Sequence, residues 1–279
     1  MRQYLQCGRF GFNLAQRPLV MGILNVTPDS FSDGGRFQSL EFAMERAEQM
    51  IKDGVDIIDI GGESTRPGSP SVPVTQELDR VMPVIYGLRE LGYPLSIDTC
   101  KPEVMREAII AGADMINDIN AFRAPGAIDA VKDSDCGLCV MHMQGTPQDM
   151  QAQPAYQDVV GEVTAFLRAR VEALLDAGVA PERVTIDPGF GFGKTVEHNV
   201  TLLRGIGRLQ RELGLPVLAG LSRKSMVGAL TGRPLEQRLA GSLGGALAAV
   251  AQGARIVRVH DVAETVDALK VWNAGTTDN

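Results

Sequence analysis

Short apolar runs rich in β-branched residues recur along the whole chain. Eight of them have the length of one β-strand, and they cover residues 19–24, 55–60, 94–97, 115–119, 138–141, 184–186, 216–219 and 256–259. Stretches of helix length lie between most of them, and in residues 40–52, 75–91, 159–177, 197–213 and 235–252 the apolar positions recur at intervals of three and four. That interval is the period of an amphipathic helix. The pattern predicts strands and helices in regular alternation.

Glycine marks the predicted ends of several helices. Gly54, Gly112 and Gly253 stand directly before a strand run, and Gly92 and Gly214 lie two residues before a proline. Glycine ends a helix in the left-handed conformation without the steric cost of a Cβ atom. About eight such βα units in sequence predict one domain over residues 1–279, an α/β protein with a (β/α)8 TIM barrel rather than an open doubly wound sheet.

Polar residues collect where the apolar runs end. In a barrel the carboxyl ends of the strands surround one mouth, so we expect these side chains to meet there. Three loops that follow strands, residues 27–37, 64–74 and 143–156, are longer than a minimal turn, which is typical of functional loops. The polar residues at strand ends are Asn25, Asp59, Glu63, Asp98, Asn117, His142, Asp187, Lys224, Ser225, Arg258 and His260.

The composition is that of an ordinary globular protein, with 44% hydrophobic and 22% charged residues, so the chain can bury a full core. A formal net charge of −7 without a run of Lys or Arg argues against nucleic acid or a membrane surface as a partner. The first twelve residues lack a signal-peptide core, so we expect a cytoplasmic protein.

Cys136 and Cys139 form a C-x-x-C, but a zinc site needs a second ligand pair. We therefore expect all four cysteines to be reduced and structural.

Two segments predict an anion site. Arg258 and His260 are two residues apart on one predicted strand, so their side chains face the same way. A bound anion is the favoured partner, because a guanidinium forks onto phosphate oxygens; an ion pair with Asp261 or Asp59 is the alternative.

Residues 221–225 (LSRKS) form the second segment. They precede a helix, whose free N–H groups attract anions, and Lys224 is free to contact a heterocycle. A solvated basic turn is the alternative there.

Three further residues predict recognition of a heterocycle. Asp98, Asn117 and Asp187 follow three different strands and offer a carboxylate, an amide and a carboxylate, a set that can read the edge of a 2-amino-4-oxo ring. Metal binding by the two acids stays open.

The segment 187–195 (DPGFGFGKT) is similar to a phosphate-binding loop, but Pro188 stands where that motif requires glycine. Its glycines instead allow the backbone and Phe192 to lie against a flat ligand.

Several motifs resemble those of the dihydropteroate synthases. Residues 25–35 (NVTPDSFSDGG) and 61–68 (GGESTRPG) are similar to the two loop motifs of that family. The segments 96–102 (SIDTCKP), 116–119 (INDI), 187–194 (DPGFGFGK), 222–225 (SRKS) and 258–261 (RVHD) match in the family's order. The resemblance covers essentially the whole chain. It implies a (β/α)8 homodimer that joins 6-hydroxymethyl-dihydropterin diphosphate to 4-aminobenzoate with Mg²⁺, giving 7,8-dihydropteroate and diphosphate.

The same resemblance implies a role for each site residue. The pterin is held by Asp98, Asn117, Asp187 and Lys224 and lined by Met141 and Gly220. The diphosphate is bound by Asn25, Thr65, Arg258 and His260, and Mg²⁺ by Asn25. The family's two mobile loops supply Asp33, Thr65, Arg66 and Pro67, which form the pocket for 4-aminobenzoate and for sulfonamides together with Phe192, Lys224 and Ser225.

The residues also favour one mechanism over its rivals. Without an obvious Ser/His/Asp or Cys/His pair, we expect an SN1-like reaction in which Mg²⁺ and Arg258 neutralise the leaving diphosphate and the electron-rich ring carries the positive charge. Carboxylates such as Asp98 favour that charge. The nearest alternative is a methyltransferase that handles methyltetrahydrofolate on the same barrel, against which the anion site at residues 258–260 argues. The other alternative is a catalytically silent pterin-binding protein, against which the intact loop motifs argue.

Overall fold

The computed structural model describes residues 3–27 and 36–276. Within these ranges the strands are β1 (Tyr4–Cys7), β2 (Phe10–Asn13), β3 (Leu19–Asn25), β4 (Ile57–Gly61), β5 (Leu95–Asp98), β6 (Met115–Asp118), β7 (Gly137–Met141), β8 (Val184–Asp187), β9 (Leu218–Ala219) and β10 (Ile256–Val259). The helices are α1 (Arg36–Lys52), α2 (Val74–Leu88), α3 (Pro102–Ala111), α4 (Ala127–Val131), α5 (Val159–Asp176), α6 (Val196–Leu213), α7 (Ser225–Thr231), α8 (Leu239–Ala251) and α9 (Val262–Thr276).

The strands β3 to β10 form one parallel sheet that closes on itself. Their spatial order is β8-β7-β6-β5-β4-β3-β10-β9. The two end strands meet where Ile186 of β8 bridges to Val217, just before β9, and the Ile186 N–H donates to Pro216 O at 3.0 Å. A helix lies between each pair of consecutive barrel strands. The predicted (β/α)8 barrel in a single domain is confirmed.

An antiparallel hairpin of β1 and β2 precedes the barrel, and the sequence did not predict it. Its buried Leu5 and Cys7 pack in one cluster with residues near the starts of the barrel strands, among them Leu19, Ile57 and Leu218. The hairpin therefore closes the amino-terminal end of the barrel with apolar side chains. The opposite end, where the strands finish, is left for polar residues.

The predicted glycine helix ends are observed. Gly54, Gly92, Gly112, Gly214 and Gly253 all have φ between 69° and 110°. That conformation releases the chain from each helix toward the next strand, and it brings the strands back to a common starting level.

Two predicted helices differ in detail from the structure. The segment 75–91 is α2 followed by a 3-10 turn, Arg89–Leu91. The segment 235–252 is broken at Arg238, between the 3-10 turn Leu235–Gln237 and α8, because the Arg238 guanidinium donates to the carbonyls of Arg223 at 3.1 Å and Arg233 at 3.2 Å.

The four cysteines are free thiols, as predicted. Cys139 packs inside the barrel with the hairpin residues, and the Cys136 thiol donates to Ala113 O at 3.0 Å. The two sulfurs of the C-x-x-C therefore have separate surroundings. Across the described ranges, no helix has both the length and the apolar character that spanning a membrane requires.

Candidate functional site

The carboxyl ends of four neighbouring strands place four residues in one row, the last residues of β3, β4 and β5 and the next-to-last residue of β6. The parallel register pairs Asn25 with Gly61, Gly61 with Asp98, and Asp98 with Asn117. Because Gly61 has no side chain, Asn25 and Asp98 approach each other across it: a Cβ atom built on Gly61 would lie 3.4 Å from Asn25 Oδ1 and 4.0 Å from Asp98 Oδ2. Three of the predicted site residues are therefore close neighbours at the mouth.

Arg258 of β10 connects this row to a carboxylate deeper in the barrel. Its Nε donates to Asp59 Oδ2 at 2.6 Å, and a terminal nitrogen donates to Asp98 Oδ2 at 2.7 Å. Asn117 Nδ2 donates to the same oxygen of Asp59 at 3.2 Å. The sequence favoured a bound anion as the partner of Arg258, with Asp59 as the alternative. The structure shows the alternative, because barrel closure brings both carboxylates against the guanidinium.

Burial dominates the electrostatics of this cluster. Asp59 is fully buried and Asp98 is 8% exposed. Burial raises the pKa of Asp98, Arg258 opposes that shift, and the carboxylate of Asp59 adds to it. Burial disfavours the charge of Arg258, but Asp59 and Asp98 more than offset this and raise its pKa. The guanidinium is thus a permanent cation shared between two carboxylates.

Asp187 ends β8 and begins a segment that we call the glycine loop, residues 188–194. Its Oδ1 accepts the backbone N–H of Gly189 at 2.7 Å. Burial raises the pKa of Asp187, and Lys224 is the largest opposing charge. Gly189, Gly191 and Gly193 have φ values of 69°, 80° and 64°, which residues with a side chain rarely adopt. These glycines allow the close turns of this segment, for which the sequence analysis predicted that the backbone and Phe192 lie against a flat ligand.

We expect Gly189→Ala to lower the free energy of unfolding by about 2 kcal/mol or more, because a strained backbone and a clash would add. A Cβ atom at this position would overlap the carbonyl oxygen of His142. Urea unfolding measures the loss. Gly178→Ala is the matched control, since its φ is 92° but no heavy atom lies within 4 Å of the added Cβ. Equal losses in the two variants would contradict the clash with His142.

Lys224 immediately precedes α7 and faces the glycine loop. Its Nζ donates to the carbonyl of Phe190 and lies 4.4 Å from the centroid of the Phe192 ring. The sequence predicted that the Lys224 ammonium is free to contact a heterocycle. In the structure, the carbonyl of Phe190 and the ring of Phe192 already contact it. Burial lowers the pKa of Lys224 to about 8, although Asp187 opposes the shift. The amine is therefore close to neutrality in mildly alkaline solution.

We expect the chemical reactivity of Lys224 to show this lowered pKa. The ammonium loses its proton as the pH rises through about 8, so the rate of reductive methylation at Lys224 should level off above that pH. An ordinary lysine, measured as a free peptide standard, should continue to gain reactivity up to its usual pKa of about 10.4. Mass spectrometry of digests gives the rate at each lysine. Parallel pH profiles for Lys224 and the standard would contradict the shift.

His260 contacts a hydroxyl group on a neighbouring loop. The Ser222 Oγ lies 3.0 Å from His260 Nδ1 and also accepts the backbone N–H of His260 at 3.2 Å. Burial, with help from the cations Arg258 and Arg223, lowers the pKa of His260 to about 4. The imidazole is therefore neutral at physiological pH. Asp261, the other predicted ion-pair partner for this strand, pairs with Arg223 instead.

The loop between β4 and α2, residues 62–73, carries three of the predicted site residues. Thr65 lines a cleft of about 290 Å³ together with Asp98, whereas Arg66 and Pro67 are exposed. The loop contacts residues 143–156 through the Gly68 N–H, which donates to Pro147 O at 2.9 Å. Asp33, the remaining predicted loop residue, lies outside the described residues.

A charged cluster holds the base of that loop. Lys101 forms ion pairs with Glu63 and with the fully buried Glu77, and Glu63 also accepts the backbone N–H of Val72 at 2.9 Å. The two ends of the loop are therefore tied to the strand that carries Asp98. Lys101 was not among the site residues predicted from the sequence, although it lies within the motif 96–102, three residues after Asp98.

Three predicted lining residues complete the site. Met141 is buried and packs in a cluster of apolar side chains that Phe192 adjoins. A Cβ atom on Gly220 would lie 3.9 Å from the Cβ of Arg258, so Gly220 leaves room beside the guanidinium. Ser225 is the first residue of α7 and is exposed. It adjoins Lys224 in sequence but has no described contact with the Asp98 cluster.

Comparison with known proteins gives a consistent match. Residues 21–260 match the model of the family described as pterin binding enzymes. The chain is 51% identical over 277 residues to the dihydropteroate synthase of Neisseria meningitidis serogroup C, covering 98% of each. The Burkholderia cenocepacia dihydropteroate synthase complexed with 7,8-dihydropteroate is 57% identical, with a TM-score of 0.89 and coverage of 98% and 96% of the two chains. The Xanthomonas albilineans enzyme with 4-aminobenzoic acid is 53% identical, with a TM-score of 0.93 over the whole of both chains.

Proposed function

The chain belongs to the dihydropteroate synthases, a family of pterin-binding transferases, and we propose that its own reaction joins (7,8-dihydropterin-6-yl)methyl diphosphate to 4-aminobenzoate. The products are 7,8-dihydropteroate and diphosphate. Two of the similar structures are complexes with 7,8-dihydropteroate and with 4-aminobenzoic acid, which correspond to the product and to one substrate.

The observation that carries the proposal is the meeting of Asp98, Asn117 and Asp187 with two cations at one barrel mouth. The three side chains are each at most 8% exposed, so they are preorganised for a ligand that replaces water. Carboxylates accept the N–H groups of a 2-amino-4-oxo ring, and Lys224 donates to its oxygen or nitrogen acceptors. Gly220 then leaves a flat space for the ring.

The diphosphate is proposed to lie beside Arg258. A guanidinium binds phosphate oxygens in pairs, and the neutral imidazole of His260 can donate one hydrogen bond. Thr65 and Asn25 supply polar groups from the neighbouring strand ends. Binding there requires Arg258 to share its hydrogen bonds between the diphosphate and the carboxylates of Asp59 and Asp98.

Mg²⁺ is proposed to bind at Asn25. Among the described residues no group of three or more His, Cys, Asp or Glu side chains is arranged to hold a metal ion. Mg²⁺ does not need such a group, because it usually keeps several waters and binds through one or two protein oxygens plus substrate phosphates. The Asn25 amide oxygen, beside Gly61 at the mouth, fits that requirement. When bound, the ion would supply positive charge to the departing diphosphate.

The amine is proposed to enter between the two loops at the mouth. Thr65, Arg66 and Pro67, with Asp33 from the preceding loop, would cover one side of 4-aminobenzoate, and Phe192, Lys224 and Ser225 the other. Sulfonamides resemble this substrate in shape and charge, so we propose that they occupy the same pocket.

We propose an SN1-like course. The methylene C–O bond breaks first, and diphosphate leaves with both electrons of that bond. The dihydropterin ring delocalises the positive charge, which Asp98 and Asp187 stabilise in a site from which the loops exclude water. The aromatic nitrogen then forms the new C–N bond and loses a proton. No strong general base is needed, because a cationic carbon reacts readily with a weakly basic amine, and burial lowers the pKa of His260 to about 4, so its imidazole is a weak base.

We also propose that the enzyme is a cytoplasmic homodimer. The family resemblance supports the dimer. The four free cysteines are compatible with a reducing compartment.

An assay of diphosphate release tests the proposed reaction. The purified protein, with Mg²⁺ and the pterin diphosphate, should release diphosphate in step with 7,8-dihydropteroate when 4-aminobenzoate is added. Binding of the pterin without turnover would favour a silent binding protein. Methyl transfer from methyltetrahydrofolate, without diphosphate release, would favour the methyltransferase alternative.

A further inference from the structure

Lys194 occupies the inside of the glycine loop and is not one of the residues proposed to contact a substrate. It is 3% exposed, and its Nζ lies 2.9 Å from Gly189 O, 2.9 Å from Phe192 O and 2.9 Å from His142 Nδ1. An ammonium has three protons and no acceptor, so these three contacts account for all of its donors. The loop therefore folds around a single buried lysine.

The charges around Lys194 are consistent with this role. Burial lowers the pKa of His142 to about 3, with Lys194 adding to the shift, so the ring is neutral and its Nδ1 can accept from the ammonium. Burial also lowers the pKa of Lys194 to about 7, opposed by Asp187. Among the residues that the structure describes, no carboxylate forms an ion pair with Lys194, so carbonyl and imidazole acceptors stabilise it.

The same short segment of the glycine loop contacts both lysines. Lys194 donates to the carbonyls of Gly189 and Phe192, and Lys224 donates to the carbonyl of Phe190, which lies between them in the chain. The Phe192 ring contacts the same ammonium, and a Cβ atom on Gly191 would lie 3.1 Å from Lys224 Cδ. The amino group of Lys194 thus fixes the backbone that holds Lys224.

We infer that Lys194 is a positioning residue, which places Phe190 O and the Phe192 ring so that they hold Lys224 at the mouth. Loss of the three hydrogen bonds would let the loop relax and would release Lys224, while Asp98 and Asn117, on other strands, would keep their places. The kinetic consequence rests on the proposed function, since it assumes that Phe192 and Lys224 contact 4-aminobenzoate.

Lys194→Met tests the inference with two independent measurements. The first is the pH profile of reductive methylation at Lys224, measured by mass spectrometry without any substrate; we expect the pH at which the rate levels off to move from about 8 toward the ordinary lysine value of about 10.4 in the variant. The second is turnover: we expect kcat/KM for 4-aminobenzoate to fall about tenfold or more, and the affinity for the pterin diphosphate to change less than about threefold, because small misplacements of contact groups are costly. Lys270→Met, which removes an exposed lysine, is the matched control and should leave both measurements unchanged.

The outcomes separate this inference from the proposed function. Wild-type protein without synthase activity would refute the proposed function, yet the methylation profile would still test the placement of Lys224. A variant with unchanged Lys224 reactivity and unchanged kinetics would overturn the inference. Lys194→Gln, which retains two donors, should show a smaller effect than Met. If neither variant unfolds cooperatively, Lys194 supports the barrel as a whole and the inference is wrong.

Discussion

We expect Asp98→Asn to lower the single-turnover rate of dihydropteroate formation about a thousandfold, which corresponds to about 4 kcal/mol of lost transition-state stabilisation. The carboxylate has two functions in the proposed mechanism. It accepts N–H groups of the pterin, and its negative charge favours the positive charge that the ring develops when diphosphate leaves. Asparagine preserves the shape but removes that charge. Rapid-quench measurement of one turnover isolates the chemical step from product release.

The matched control for this variant lies at the other end of the barrel. Asp56→Asn also removes a carboxylate that pairs with an arginine, Arg17, and that accepts a backbone N–H, that of Val20. We expect it to change the single-turnover rate less than about twofold, since Asp56 precedes its strand at the opposite end of the barrel and pairs with Arg17, which is not a residue of the site. A wild-type rate in Asp98→Asn would remove Asp98 from the mechanism.

We expect Arg258→Met to be damaging both to activity and to stability. Activity should fall about a thousandfold or more, because the leaving diphosphate loses its guanidinium partner. The free energy of unfolding should fall by about 3 kcal/mol or more, because removal of one partner leaves the fully buried Asp59 with an uncompensated charge. Steady-state kinetics and urea unfolding measure the two effects separately.

A double variant distinguishes the structural ion pair from the proposed anion site. In Asp59→Asn/Arg258→Met the charge of Asp59 is removed together with its partner, so part of the lost stability should return, while Asp98 still lacks its contact with Arg258. Activity should not return, because the diphosphate still lacks Arg258. Recovery of both quantities would show that Arg258 acts only through the fold.

The barrel could be predicted because its strands are buried on both faces and therefore appear as continuous apolar runs. The run 184–186, for example, lies within β8 (Val184–Asp187), and the polar residue just after it proved to be the last residue of the strand. The hairpin of β1 and β2 was not predicted because it contains no such continuous apolar run. Its strands mix polar and apolar residues, and they form only because the open end of the barrel offers an apolar surface.

The sequence could predict that the polar residues at the strand ends meet at one mouth, but it could not decide between their possible partners. Asp98, Asn117 and Asp187 stood out because polar groups after strands must meet at one mouth. The partners of Arg258 are 199 and 160 residues away in the chain, so only the register and the closure of the barrel decide between a carboxylate and an external anion. Lys194 was considered only as part of two motifs, a phosphate-binding loop that does not fit and the family motif 187–194, and no role was predicted for it. Its actual acceptors are two carbonyls and an imidazole, and contacts of this kind leave no pattern in a sequence.

A crystal structure of the protein with the pterin diphosphate is the sharpest test of the proposed site. We expect the ring to lie against Asp98, Asn117 and Asp187, and the diphosphate to accept hydrogen bonds from Arg258, with the contact between Arg258 and Asp98 lengthened or lost. A ligand bound elsewhere, with Arg258 still donating to both carboxylates, would show that the barrel mouth does not bind the substrate in this way.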